Sequence, residues 1–248
     1  TGGARELAEL ADGFNGMAAS VEQLFDARRE LVAWASHDLR TPLASIQAML
    51  EAIEDGLVEP AEYLPDLRAQ SRALARLVDD LFELSAIDAG ALTLELRETP
   101  LGAVLESCVR GLQAEAAAKE IRLEARLADG LPPARCAPEQ VERVLLNLLT
   151  NALRHTPSDG SVVVAARPVG TELEISVEDT GSGIEPGDET RMFDRFWRAD
   201  RARARSDGGA GLGLAIARGL VEAQGGRIWA ERRHEGGARI AFTLPLAP

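Results

Sequence analysis

The sequence predicts an α-helical hairpin that forms a dimeric four-helix bundle, followed by an α/β sandwich with a mostly antiparallel sheet. Three observations carry this expectation. Apolar residues recur at heptad spacing from Leu7 to Ile87. At Ala89-Gly90 the pattern changes to short alternating stretches broken by turn residues. The 248 residues, 46% of them apolar, suffice for two cores.

In the front part, Leu7, Leu10, Phe14, Met17, Val21 and Leu24 form one helical stripe. A second stripe runs through Val32, Ser36, Leu39, Leu43, Ile46, Leu50, Ile53 and Leu57. The two are out of phase by one residue, so the register breaks in Phe25–Leu31, where coiled-coil winding changes. Gly56, Pro60 and Pro65 mark Glu54–Pro65 as a hairpin turn. Leu67, Leu74, Leu77, Leu81, Leu84 and Ile87 then line one face of a second helix. Two such helices cannot bury their stripes alone, and pairing with a second copy makes a four-helix bundle, so a homodimer is expected.

Behind Gly90, Thr93–Arg97 reads as a strand and Leu101–Glu120 as a helix. Ile121–Leu127 reads as a strand and Pro138–Arg154 as a helix. Ser161–Arg167 and Glu172–Asp179 pair as a hairpin around Val169-Gly170. Thr180–Gly209 is a long loop, and Gly211–Gln224 is a helix. Arg227–Arg232 and Ala238–Leu244 close the sheet. The expected domains are 1–24, 25–90 and 91–248.

Composition narrows the function. The net charge of −13 argues against a nucleic-acid partner, which needs a basic face. The two cysteines, Cys108 and Cys136, form neither a disulfide framework nor a zinc pattern and read as buried thiols. No run approaches the roughly 18 apolar residues of a membrane span. Lys119 is the only lysine, and it sits in the helical context AEAAAKE. That excludes a P-loop and a Ser/Thr/Tyr-type kinase, both of which require a placed lysine.

Four strings carry the chemistry: SHDLRTPL at Ser36–Leu43, NLLTNALRHT at Asn147–Thr156, DTGSGI at Asp179–Ile184 and GGAGLGLAI at Gly208–Ile216. Ser36 lies on the inner stripe, so His37 projects beside the seam, open to macromolecular partners. Its neutral imidazole is a nucleophile near pH 7. Asp38 is placed to orient or deprotonate that ring. Thr41 lies one turn on, on the same face, and Pro42 is expected to bend the helix. Asn147 and Asn151 lie at i and i+4, so their amide oxygens face one way and suit Mg²⁺ shared with phosphates. Arg154 follows one turn later as a cation for phosphate. Asp179 ends an alternating strand, where a carboxylate accepts from an adenine amino group, and Gly181 and Gly183 let backbone approach the ring. Glycines before a helix start present N–H groups to phosphate.

Together these strings resemble the cytoplasmic core of a sensor histidine kinase of a two-component system, and the resemblance covers nearly the whole chain. It implies the end of a HAMP linker at 1–24, a dimerisation and phosphoacceptor domain, and a GHKL-type ATP-binding domain. It implies ATP and Mg²⁺ as cofactors, His37 as phosphoacceptor, and Asp38 and Thr41 as catalytic partners, Thr41 for a phosphatase reaction. It implies Asn151 as a Mg²⁺ ligand with Asn147 supporting. His155, Ile184, Phe193, Arg198, Gly209, Gly211, Leu212, Gly213 and Leu214 join Asn147, Asn151, Arg154, Asp179, Gly181 and Gly183 as nucleotide contacts. Phe193, Phe196 and Trp197 would dock a lid whose arginines 195, 198, 201, 203 and 205 face triphosphate. The implied partners are a second copy and a response-regulator receiver domain. The chain opens on Thr1-Gly2-Gly3, which leads us to expect an upstream membrane and sensor segment, with this part on the cytoplasmic side. Cys136-Ala137 stands where related sequences carry an aspartate cap. A superfamily ATPase of the heat-shock, gyrase or mismatch-repair type and a catalytically silent scaffold are the competing readings.

Overall fold

The computed structural model describes residues 38–128, 130–197 and 211–247, with Phe14 and Ala35 besides. The Leu7–Leu24 stripe, the register break at Phe25–Leu31, His37, Arg198 and Gly209 lie outside the described residues. The chain divides into two compact units, Thr1–Val78 and Asp79–Pro248.

In the first unit, helix α1 covers residues 38–54 and continues through Pro42. It closes on a glycine cap. Gly56, at φ +68, donates to the Ile53 carbonyl at 3.1 Å, and Leu57 donates to Ala52 at 3.0 Å. This pairing satisfies carbonyls the helix end would orphan. Helix α2 is Pro60–Asp88 and contains Pro65. The expected turn Glu54–Pro65 is therefore shorter, residues 55–59. The glycine cap reverses the chain by itself. Pro60 opens α2 where its missing N–H has no partner to lose, and Pro65 removes only one early bond. Leu43, Leu50, Leu57 and Leu64 of this unit are exposed.

The second unit is an α/β sandwich. Its elements run β1 (Arg97–Thr99), α3 (Gly102–Ala118), β2 (Arg122–Leu127), β3 (Ala134–Cys136), α4 (Pro138–His155), β4 (Ser161–Val169), β5 (Glu172–Asp179), α5 (Asp188–Arg191), α6 (Gly213–Ala223), β6 (Ile228–Arg232) and β7 (Ala238–Pro245). The main sheet has the order β2-β4-β5-β7-β6. Only β2 and β4 run parallel; the other three pairings are antiparallel. Helices α3, α4 and α6 pack on one face. Inward positions alternate along the strands as a half-buried sheet requires: Val162, Val164 and Ala166 on β4, Leu173, Ile175 and Val177 on β5, Ile240, Phe242 and Leu244 on β7. Val141, Val144, Leu145, Leu148, Leu149, Ala152 and Leu153 of α4 meet them.

One strand expectation changes, and one strand, β3, was not expected. Thr93–Arg97 is not a strand; β1 begins at Arg97 and pairs with β3, Ala134–Cys136, in a separate two-stranded sheet. Alternation at Leu92, Leu94 and Leu96 has no neighbouring edge to bond, and a strand is a two-chain object. β3 is three residues long behind Pro132-Pro133, too short for period to reveal. The thiols of Cys108 and Cys136 are buried and free, and burial pushes Cys108 up to about 11.

The last turns of α2 belong to the second unit. Leu84 is buried there, and Arg143 of α4 pairs with Asp80 and, at 3.1 Å, with Glu83. Arg195 pairs with Asp88, and Ile87 fills the space a Cβ on Gly219 would take.

The start of α4 has no side-chain cap at Ala137. The remedy is remote. Gln224, 3% exposed at the end of α6, accepts the Ala137 N–H on Oε1 at 2.9 Å and donates to Leu220 O at 2.9 Å. Gln224→Ala leaves a buried N–H unpaired. Thermal or urea unfolding is expected to show a loss of about 1–3 kcal/mol; an unchanged midpoint would mean that water replaces the amide.

Candidate active site

Asp179 takes the next inward position after Leu173, Ile175 and Val177, at the point where β5 ends. Strand period thus carries a carboxylate to the helix side of the sheet, where it is 5% exposed. Its Oδ1 accepts two backbone N–H groups, from Gly181 at 2.8 Å and Ala238 at 3.2 Å. Oδ2 is left with no hydrogen bond from a described residue. Burial pushes the carboxyl above the ordinary aspartate range; the two N–H bonds and the charges of His155 and Arg233 oppose this. The result is a fixed side chain with one oxygen available as acceptor.

Helix α4 supplies the neighbouring wall. Asn147 and Asn151 are half-buried on it, and Arg154 and His155 are exposed at its C-terminal turn. The carbonyl of His155 would stand 2.3 Å from a Cβ on Gly181, so this glycine lets the helix end and the Asp179 loop touch. Asn147 faces the start of α6, its Oδ1 3.4 Å from the Cβ position of Gly213. Its Nδ2 is buried with no hydrogen-bond partner among the described residues, the condition of a polar site completed by a ligand. Among the described residues no cluster of three His, Cys, Asp or Glu could hold a metal; the amide oxygens of Asn147 and Asn151 are the donors on offer, and they fit a hard cation shared with phosphate.

Helix α6 begins at Gly213, two residues later than expected, with Leu212 as its uncapped boundary. The Leu212 side chain thus caps none of its first N–H groups, and such groups favour an anion. Gly211 and Leu212 lead into it, with Leu212 fully buried, and Leu214 is half-buried. Ile184 and Phe193 are buried. Phe196, at φ +61, donates its N–H to Gly211 O at 3.0 Å. That bond joins the stretch after α5 to the stretch before α6. Phe193, expected as a docking aromatic, is the buried one; Phe196 and Trp197 are half-buried.

The structure thus brings Asp179 against Gly181, Gly181 against the end of α4, and Asn147 against Gly213, with Asn151 one turn beyond Asn147 on α4. The β6–β7 turn is the part that sequence reading missed. Arg233 Nη1 donates to Asp179 O at 2.7 Å, and a Cβ on Gly237 would stand 1.9 Å from that same oxygen. The Gly236-Gly237 pair was legible only as a turn. In the first unit, Asp38 is half-buried and Thr41 exposed on α1, three residues apart and so on one side of the helix.

Two family models match the chain. Residues 27–90 match the His Kinase A (phospho-acceptor) domain. Residues 136–248 match the histidine kinase-, DNA gyrase B-, and HSP90-like ATPase. The chain carries the core of a sensor histidine kinase. It is 36% identical over 242 residues to the signal transduction histidine-protein kinase BaeS of Escherichia coli K12, covering 97% of this chain and 52% of that protein. It is 35% identical over 232 residues to the sensor histidine kinase WalK of Bacillus subtilis 168, covering 90% of this chain and 38% of that protein. The chain therefore spans about half or less of these relatives. The solved histidine kinase AdeS of Acinetobacter baumannii superposes with a TM-score of 0.71 at 26% identity, covering 86% of this chain and 98% of that one. ShkA in complex with AMPPNP gives 0.69 at 28%, covering 88% and 46%. In this sensor histidine kinase core the ATPase-type domain implies ATP binding.

The buried carboxylate has a stability signature. Because its folded-state pKa is raised, its contribution is most favourable below the unfolded-state pKa and is lost as pH rises through the folded one. Asp179→Asn keeps an oxygen for both N–H groups and removes the desolvated charge. Its melting temperature is expected at or above the parent's at neutral pH, and the difference shrinks toward the acidic aspartate range. A markedly lower neutral-pH midpoint would show that the charge itself holds the loop.

Proposed function

We propose that this chain is a histidine autokinase acting in two-component signalling. ATP is held in the 91–248 domain, and its γ-phosphoryl group passes to His37 of the 25–90 domain. A ring nitrogen of His37 forms the P–N bond, the bond to the ADP oxygen breaks, and Asp38 takes or orients the ring proton. The phosphoryl group then moves to an aspartate on a response-regulator receiver domain. The carrying observation is Asp179: a buried carboxylate with one oxygen pinned by two N–H groups and the other available, in a domain that also holds the orphaned amide of Asn147 on α4. That arrangement suits the adenine amino group, and the ShkA complex with AMPPNP supports it.

In this reading Asn151, with Asn147, holds Mg²⁺, which when bound neutralises phosphate charge. Arg154, His155, Gly181, Gly183, Ile184, Phe193, Arg198 and the Gly209–Leu214 stretch contact nucleotide. Catalysis is placement plus charge neutralisation. The exposed stripe of Leu43, Leu50 and Leu57 supports a homodimeric four-helix bundle. No helix among the described residues is long and apolar enough to cross a membrane; membrane anchoring through a segment outside this chain is part of the proposal, as is regulator phosphatase activity at Thr41.

Incubation with γ-labelled ATP tests the kinase reading. The parent is expected to carry an acid-labile label that His37→Gln abolishes without weakening ATP binding. Asp179→Asn loses the acceptor and weakens ATP binding about 10- to 100-fold, and Asn151→Ala loses labelling through the metal. Persistent acid-labile label on His37→Gln would remove His37 as acceptor.

Thr41 separates two activities. Its hydroxyl can orient a water toward phosphoaspartate but takes no proton in the kinase step. Thr41→Ala is expected to keep most autophosphorylation and lose dephosphorylation of the regulator, while Asp38→Asn loses autophosphorylation. Equal loss of both activities in Thr41→Ala would reduce the residue to a geometric role before Pro42.

A further inference from the structure

We propose that Arg233, in the turn between β6 and β7, is a positioning residue of the nucleotide site that holds Asp179 in place and in its acceptor form. The inference rests on the reading of Asp179 as the adenine acceptor. The turn Arg233–Gly237 is closed by Arg233 N–H to Gly237 O at 3.3 Å and Gly236 N–H to Arg233 O at 3.2 Å. Gly237 sits at φ +87, and a Cβ there would lie 1.9 Å from Asp179 O and 2.9 Å from Thr180 Cα. Only a residue without a side chain lets the turn lie this close to the end of β5.

From that seat the turn grips one residue twice. Arg233 Nη1 donates to the Asp179 carbonyl at 2.7 Å. The N–H of Ala238, the residue after the turn, donates to Asp179 Oδ1 at 3.2 Å. Main chain and side chain of the same aspartate are therefore fixed by one loop. The guanidinium is partly buried, and its nearest carboxylate, Glu178, is 3.8 Å away and is shared with Arg239 at 3.3 Å. The Asp179 carbonyl is the shorter and better-directed contact.

Charge adds to geometry. The groups facing Asp179 are His155 from the end of α4 and Arg233 from the turn, both of which favour the ionised carboxylate. Glu178 precedes Asp179 on β5 and pairs with Arg233 and Arg239. A protonated carboxyl turns one oxygen into a donor and a much weaker acceptor, so it receives an amino N–H poorly. A permanent cation behind the strand end opposes that protonation, and Arg remains charged throughout.

The test is calorimetric binding of ADP to the full chain across mildly acidic to mildly alkaline pH, with a melting curve at each pH, for the parent, Arg233→Met, Arg233→Lys and Asp179→Asn. Arg233→Met is expected to bind ADP several-fold more weakly at neutral pH, and its affinity is expected to start falling at higher pH than the parent's. Arg233→Lys keeps the charge, so its acid limb should stay with the parent's while its affinity falls less. An Arg233→Met variant matching the parent in affinity and acid limb overturns the proposal. So does an Arg233→Lys variant whose acid limb moves as far as that of Arg233→Met, because a purely structural arginine would give that result. Should Arg233→Met not fold, Arg233→Lys decides against the parent alone: an acid limb that stays with the parent's supports the proposal, and one that moves to higher pH overturns it. Asp179→Asn distinguishes the two levels: if it binds ADP like the parent, the acceptor reading falls and this inference with it. If it loses ADP while Arg233→Met matches the parent, the assignment of Arg233 alone falls.

Discussion

The pairing register of β5 between β4 and β7 governs the rest of the α/β unit. Val177 stands opposite Val164 on β4 and Ile240 on β7, and these pairs put the odd-numbered residues of β5 on the helix side. A slip by one residue would send the whole set to the opposite face. It would also take Asp179 out of the site and bring Glu178 into it. Fold stability and site chemistry thus depend on one choice, and the hydrophobic burial of Leu173, Ile175 and Val177 makes it. The carboxylate gains its position from neighbours that have no chemical role.

The cost of that position is visible in the loops. A carboxylate with little exposure must be compensated by donors, and the donors here are backbone N–H groups at Gly181 and Ala238. Both belong to segments that reach the strand end only where side chains are absent, at Gly181 against His155 O and at Gly237 against Asp179 O. Gly181 and Gly237 mark places where two backbones meet around Asp179. The same logic appears at α4, where Ala137 provides no cap and Gln224 reaches across from α6 to take its N–H. The helix carrying the asparagines and the helix that starts at Gly213 are thereby tied at one end and face each other at the other.

The two compact units ask different things of their sequence. In the first, an apolar stripe remains exposed at Leu43, Leu50 and Leu57, so the unit is incomplete as a single copy by the criterion of burial. In the second, the sheet and its helices close a core within the chain, and that core extends to the last turns of α2 through Leu84, Ile87 and the ion pairs of Arg143 and Arg195. Those pairs link the end of the helical hairpin to the helix that bears Asn147 and to the segment that follows α5.

Periodicity and local chemistry determined much of this protein without tertiary information. The heptad stripes predicted the hairpin, strand alternation predicted β4, β5 and β7, and Pro138 marked the start of α4. The placement of Asn147 and Asn151 on α4 and of Asp179 at the end of β5 was legible because each lies on an element whose period fixes its direction. Tertiary structure decided the remainder. β3 and the true extent of β1 exist only because each supplies the other's hydrogen-bonding edge, which no single stretch encodes. Gln224 looks like any polar residue at a helix end until α6 lies beside the start of α4. Arg233 looks like one of many arginines until the β6–β7 turn is folded back onto β5. Period reports the direction of a side chain from its own element, and contact with another element depends on the packing of the two.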